Sequence, residues 1–289
     1  MPRPLNVACL QTRPMPDFES ATAEAMGLAE QALARGAEFL ALPEYCGGLV
    51  SDGAALIPPA ASIEEHPLVS AFQRLAAEKG VHVLVGSVAV PGPAGSAAGD
   101  GAKFTNRGVL IDNTGALAGR YDKIHMFDIQ MSQDAVYRES AMVAPGDCAV
   151  LHETSFGKLG HTICYDVRFP HLYRDLAQAG AEMLAVPAAF TKKTGELHWH
   201  ILNQARAIEN GAFVIAPCAW GPVPGGGEAY GHSLIIDPMG KILADGGEGS
   251  GIAMATIDLD DVAAARGKIP SLSHDRPYQS AASTSLAAE

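Results

Sequence analysis

"KLGHTICYDVRFPHLYRDLAQAGAEMLAVPAAF" (residues 158–190) decides the fold class of this chain. An apolar run, "KLGHTICYD" (158–166), is followed by a segment of helical spacing, "FPHLYRDLAQAGA" (169–181). A second apolar run, "AEMLAVPAAF" (181–190), follows at once. Strand, helix, strand with short joints is the repeat of an α/β protein whose sheet is covered on at least one face. Working outward, the pattern recurs. Apolar runs fit buried strands at 5–11, 37–44, 81–90, 106–112, 211–220 and 231–240. Helical spacing, closed by glycine, is found over 20–36, 66–80 and 198–211. The turns "DNTG" (112–115) and "DPMG" (237–240) predict two hairpins, so the sheet is expected to be mixed rather than uniformly parallel. No GxGxxG follows any strand, which speaks against a dinucleotide-binding fold.

The chain has 289 residues, 48% of them hydrophobic, enough to bury a large core. We expect a single domain over 1–289, with a core at about 5–278 and a tail at about 279–289. The stretch "PGPAGSAAGDGAK" (91–103) reads as an excursion within that domain. A formal net charge of −12, with no basic stripe, predicts no nucleic-acid partner. The longest apolar runs fall well short of the ~18 residues that span a bilayer, so no membrane contact is expected. Five widely spaced cysteines (9, 46, 148, 164, 218) suggest neither a disulfide framework nor a zinc site, which predicts a reducing, cytoplasmic setting. "HWH" (198–200) places two histidines two apart on a helix, where they diverge and cannot chelate together.

Three predicted strand ends carry reactive groups into loops: Glu44 after "FLALP", Lys123 in "AGRYDKIHMFD", and Cys164 in "GHTICYDVRFP". Strand ends at one edge of an α/β sheet are where ligands usually sit. A thiol, a carboxylate and an ammonium brought together form an acyl-transfer site. The carboxylate takes the thiol proton, and the ammonium lowers the thiol pKa and steadies the oxyanion. Each residue also has a plain alternative: a packed cysteine at a strand end, and two solvated charges. Spacing by itself leaves that choice open.

From "LNVACLQ" to "IPSLSHDRPY" the chain resembles the nitrilase superfamily of carbon–nitrogen hydrolases, on "LALPEYC", "GRYDKIHMFD" and "GHTICYDVRFP". The resemblance implies an αββα sandwich with mixed sheets. Two such subunits would pair sheet on sheet into a four-layered αββα-αββα dimer or a higher homo-oligomer. It also implies a Glu44–Lys123–Cys164 triad, with Cys164 as nucleophile, Glu44 as general base and Lys123 on the tetrahedral intermediate. Glu139, in "VYRESAMVAPGD", would position Lys123, and the Tyr165 N–H would donate to the oxyanion.

Within the superfamily the likeness through "CYDVRFPHLYRDLAQAGAEMLAVPAAFTKKTGELHWH" is to the deaminated-glutathione amidase and omega-amidase branch. That branch implies Arg168 as the carboxylate-binding guanidinium, with Phe190 and Thr194 beside it. The implied activity is hydrolysis of a small carboxylate-bearing amide through a thioester, with ammonia release and no cofactor or metal. Deaminated glutathione is the first expected substrate, and α-ketoglutaramate or α-ketosuccinamate the second. The alternatives are an N-carbamoyl amino acid hydrolase, an aliphatic nitrilase, or a non-catalytic scaffold of the same fold.

Overall fold

The computed structural model describes residues 2–51, 56–92, 97–98, 101–130 and 136–278. The expected tail at 279–289 lies outside the described residues. Two six-stranded sheets form the centre. The first holds β1 (Pro4–Gln11), β2 (Phe39–Ala41), β3 (His82–Pro91), β4 (Phe104–Ile111) and β5 (Leu117–Asp122). The second holds β6 (Val150–Glu153), β7 (Lys158–His161), β8 (Met183–Ala185), β9 (Phe213–Ala216), β10 (Leu234–Ile236) and β11 (Ile242–Asp245). The last strand, β12 (Gly251–Asp258), returns to the first sheet and pairs antiparallel with β1. The strand orders are β12-β1-β2-β3-β4-β5 and β6-β7-β8-β9-β10-β11.

Alternation along the strands decides which face each residue covers. Val7, Cys9, Phe39 and Leu84 of the first sheet meet Leu159, Met183, Phe213 and Ile235 of the second in one buried cluster. On the outer face of the first sheet, Leu10, Leu40 and Val83 pack under helices α1 (Phe18–Ala34) and α2 (Pro67–Lys79). On the outer face of the second, Leu184, Val214 and Ile236 pack under α3 (Pro170–Gln178) and α4 (Lys192–Asn210). A short α5 (Asp260–Lys268) follows β12. The result is an αββα sandwich with mixed sheets, as expected.

One expectation is corrected. Among the described residues the two sheets cover each other's inner faces and helices cover the outer ones, so no apolar sheet face is left there for a second subunit. Local structure also differs from the pattern at one helix. α4 begins at Lys192, six residues before the predicted start at 198. Gly195 disguised its first turn. A Cβ there would run into the ring of Tyr230, so close packing rather than a break in the helix explains the glycine. The excursion at 91–103 contains a short antiparallel pair, Ala97–Ala98 with Gly101–Ala102. The predicted hairpins are β4–β5 and β10–β11.

Candidate active site

β7 ends at His161, and after Thr162 and Ile163 the chain enters a 3₁₀ turn, Cys164–Arg168. Cys164 holds φ +51°, a left-handed conformation that costs a non-glycine residue about 1 kcal/mol or more. Its surroundings fix it there. The Cys164 N–H donates to the Pro187 carbonyl at 2.9 Å. Asp166, fully buried, accepts from the Ile163 N–H (2.8 Å), the Tyr121 hydroxyl (2.7 Å) and the His125 N–H (3.1 Å). His125 Nδ1 lies 2.7 Å from the same carboxylate. Asp166 thus ties the turn carrying the thiol to the segment that follows β5. The sequence offered no sign of this beyond an acidic residue two places past the cysteine.

Glu44 follows β2 and is buried. Its Oε2 accepts the Ala189 N–H at 2.9 Å, and its Oε1 accepts Asn106 Nδ2 at 2.8 Å. Lys123 Nζ lies 2.9 Å from Glu44 Oε1 and 2.8–2.9 Å from both oxygens of Glu139, while its side chain is 2% exposed. Glu139 also accepts the Phe127 N–H at 2.6 Å. One ammonium therefore bridges two carboxylates with almost no water. Room for the Glu44 loop comes from Gly86 in β3. A Cβ there would collide with the carbonyls of Leu42 and Pro43.

Electrostatics sets the resting protonation. Burial and the nearby Glu44 carboxylate push the Cys164 thiol well above its ordinary value, and Lys123 only partly offsets them. The cation does lower the thiol, but burial and Glu44 outweigh it, so the resting group is SH. Burial opposes the charge on Lys123, but Glu139 and Glu44 outweigh it and hold the ammonium on. Burial raises Glu139, against the pull of Lys123.

A cavity of about 560 Å³ opens on these groups and is lined by Glu44, Lys123, Glu139 and Cys164. Tyr165, Phe190 and Thr194, all named from the sequence, line it too. Thr194 Oγ1 pairs with Thr191 Oγ1 at 2.7 Å. Arg168 is not among the lining residues. Three residues per 3₁₀ turn rotate a position four past the cysteine away from the thiol. Its guanidinium lies 5.8 Å from the Tyr165 ring centroid and 5.4 Å from that of Phe190, with Nη2 3.2 Å from His198 Nδ1. Among the described residues Arg168 makes no ion pair; Asp166 and Glu209 are engaged elsewhere.

Three cations that sequence reasoning missed do line the cavity: Arg138, Lys192 and Lys193. Lys192 is paired with Glu228 at 2.8 Å. The Gly/Pro-rich segment near 221–231 forms the ribbon Trp220–Pro222 with Glu228–Tyr230, and Gly226, Gly227 and Glu228 form part of the cavity wall.

The carbon–nitrogen hydrolase family model matches residues 6–267. A deaminated glutathione amidase of Synechocystis is 41% identical over 276 residues, covering 94% of this chain and 98% of that protein. The omega-amidase NIT3 of Saccharomyces cerevisiae is 36% identical over 168 residues, covering 58% of each. Among solved structures, the C. elegans NitFhit protein superposes with a TM-score of 0.81 at 30% identity. That match covers 94% of this chain but only 65% of the longer NitFhit chain. Saccharomyces cerevisiae Nit3, of the nitrilase superfamily, superposes with a TM-score of 0.78 at 28% identity, covering 93% and 95%.

Proposed function

Because this chain belongs to the carbon–nitrogen hydrolase family and is a hydrolase acting on amides, we propose that it cleaves a small carboxylate-bearing amide through a thioester on Cys164. The observation that carries this reading is the Lys123 ammonium bridging Glu44 and Glu139 in the cavity that holds the Cys164 thiol.

The chemistry runs as follows. Glu44 removes the proton from Sγ as the sulfur attacks the amide carbon, so no resting thiolate is needed. Lys123, with the Tyr165 N–H at the start of the 3₁₀ turn, stabilises the oxyanion; the first N–H groups of such a turn have no acceptor within it. Protonated Glu44 then gives its proton to the leaving nitrogen, and the C–N bond breaks to leave a thioester. Glu44 next deprotonates a water that attacks the thioester, and the acid and the free thiol are regenerated. Glu139 holds Lys123 in place.

Deaminated glutathione is the first choice of substrate, supported by the name of the Synechocystis relative, and α-ketoglutaramate or α-ketosuccinamate is the second. Mass balance corrects the sequence-based product. Ammonia leaves only from a primary amide, whereas deaminated glutathione releases cysteinylglycine. The substrate's carboxylate is assigned to Arg138 and Lys193, the latter having no ion pair among the described residues. Arg168 acts as a positioning residue, through Tyr165 and Phe190. Substitution separates these roles. Lys193→Met or Arg138→Met should lower kcat/KM about tenfold for a carboxylate-bearing amide and leave a neutral amide almost unchanged. Arg168→Met should affect both alike; a loss confined to the carboxylate substrate would return that contact to Arg168.

The deciding experiment measures 2-oxoglutarate formed from deaminated glutathione and from α-ketoglutaramate, and ammonia formed from an N-carbamoyl amino acid and a nitrile, with Cys164→Ala as control. Turnover of the nitrile alone would overturn the amide assignment. A cytoplasmic setting belongs to the same proposal, supported by five free cysteines. So does a homodimer, which we assign to α4: Leu197, Ile201 and Ile208 are 64%, 68% and 53% exposed and share one helix face. Ile201→Lys should shift sedimentation toward monomer, and an unchanged profile would remove α4 from the interface.

A further inference from the structure

His198 and His200 diverge on α4, as their spacing requires, and His198 turns to Arg168. His200 instead meets residues far away in sequence. Its Nε2 lies 3.0 Å from Asp245 Oδ2, at the end of β11. His232 Nδ1 lies 2.9 Å from Asp245 Oδ1 and 3.2 Å from Oδ2. One ligand atom from each of the three falls within 4.8 Å of the others. We propose that His200, His232 and Asp245 form a binding site for a zinc-class divalent cation, separate from the catalytic cavity.

The donor set fits that class. Two imidazoles and one carboxylate suit zinc and its neighbours, whereas calcium and magnesium seek oxygen-only shells. The size fits as well. Bonds of ~2.0–2.1 Å to a tetrahedral ion separate the donor atoms by about 3.3 Å, close to the two short gaps present. The site is also held rigid. His232 holds φ +52°, the left-handed region that a non-glycine residue enters at a cost. Its N–H donates to the Gly247 carbonyl (2.9 Å), and its own carbonyl accepts from Trp199 Nε1 (2.7 Å). Asp245 is steadied by the Gly247 N–H at 2.8 Å. Tyr230 stacks on the His232 ring at 4.6 Å between centroids. The three side chains are 29%, 22% and 34% exposed, which leaves a coordination position facing water.

The location suggests what the ion does. His200 sits on α4, whose first residues Lys192–Thr194 line the catalytic cavity, and Tyr230 ends the ribbon whose residues Gly226, Gly227 and Glu228 line it too. A cation joining His200 to His232 pins that ribbon to the helix. Its role is to brace the cavity wall, not to take part in the chemistry.

The test uses the full chain without a polyhistidine tag, stripped with chelator, in a Cys164→Ala, Cys148→Ser background that removes the competing active-site and exposed thiols. Co²⁺ is titrated while visible d–d absorption is followed, and Zn²⁺ affinity is measured by competition with a chromogenic chelator. One equivalent per chain is expected, with binding weakened at least tenfold in His200→Gln, His232→Asn and Asp245→Asn. Zn²⁺ should raise Tm in the parent and not in His200→Gln. Should His232→Asn fail to fold, the half-exposed His200 and Asp245 variants decide. Unchanged affinity or stoichiometry in those two variants would overturn the site and leave a hydrogen-bonded His–Asp–His cluster.

Discussion

In the first sheet, parallel strands β1, β2 and β3 are flanked by antiparallel β12 on one side and by β4 and β5 on the other. In the second, parallel β7, β8 and β9 are flanked by antiparallel β6 and by β10 and β11. Strand for strand the plans agree, yet the two halves bring different things to the cavity. The first sheet and its continuation carry charge: Glu44 after β2, Lys123 after β5, and Glu139 beyond. The second carries the thiol after β7 and backbone N–H groups, among them that of Ala189, which holds Glu44. Neither half holds a working set. Sheet packing through Phe39, Leu84, Met183 and Phe213 therefore assembles the site as it forms the core.

The largest expected effects come from emptying one half's contribution. Cys164→Ala should lower turnover by about 10⁴-fold or more, because Cys164 is the only thiol among the described residues that line the cavity. Its Tm should hardly move, since the charge cluster of the other half stays paired. Retained turnover, followed by 2-oxoglutarate release, would end the thioester mechanism. Glu44→Gln should match that loss while blocking acylation, visible by mass spectrometry as absence of an acyl-enzyme adduct.

Next in size is the charge cluster. Lys123→Met removes an oxyanion donor, worth about 3–4 kcal/mol, or roughly 10²–10³-fold in kcat. It also strands two buried carboxylates, so Tm should fall sharply, by contrast with Cys164→Ala. Glu139→Gln keeps the shape and a hydrogen bond to Lys123 and should cost less, about ten- to a hundredfold. Equal losses for Glu44→Gln and Glu139→Gln would show that the two carboxylates do not divide base and positioning roles.

Smaller again is the effect of the joint between the halves. Asp166 gathers Tyr121 and His125 from the first half and the Ile163 N–H from the second. Asp166→Asn keeps the volume but loses at least one acceptor. A drop of about tenfold in kcat with KM little changed is expected, since the thiol is displaced rather than the binding wall. A change in KM alone would show that the carboxylate does not position Cys164.

Residues differ in how far sequence revealed them. The α/β class, the mixed sheet and the β4–β5 and β10–β11 hairpins follow from period-two runs, glycine-capped helices and the "DNTG" and "DPMG" turns. Those signals are local, and local rules read them. Glu44, Lys123 and Cys164 could be picked out as strand-end groups, but their convergence depends on the register between two sheets, which no spacing encodes. Resemblance supplied that. Asn106, Asp166, Arg138 and Lys193 escaped because their contribution exists only across the folded cavity. Arg168 shows a related limit: distance along the chain does not give direction, and its guanidinium lies 5.8 Å and 5.4 Å from the ring centroids of Tyr165 and Phe190 rather than in the cavity lining. The His200, His232 and Asp245 cluster joins positions 45 residues apart and was invisible to motif spacing.

The mildest test sets the sheets against each other by acidity. His152 on β6 and His161 on β7 pair at 3.1 Å and face Gly119 and Gly108 of the first sheet, where a Cβ would strike their rings. Burial lowers His152 to about 4 and holds His161 well below its ordinary value. Both are neutral in the folded chain, whereas the unfolded chain takes up protons below about pH 6.5. Between about pH 4 and 6.5 the unfolded state binds more protons, so stability rises with pH across that window and is lost as pH falls through it. For His152 the shift corresponds to a loss on the order of 3 kcal/mol, or several degrees of Tm, by pH 4. His152→Leu should flatten the acid limb of a Tm-against-pH curve while leaving the value near pH 8 almost unchanged. A curve that keeps its full acid slope in His152→Leu would move the sensitivity to the other buried histidines, such as His66, which burial also lowers to about 4.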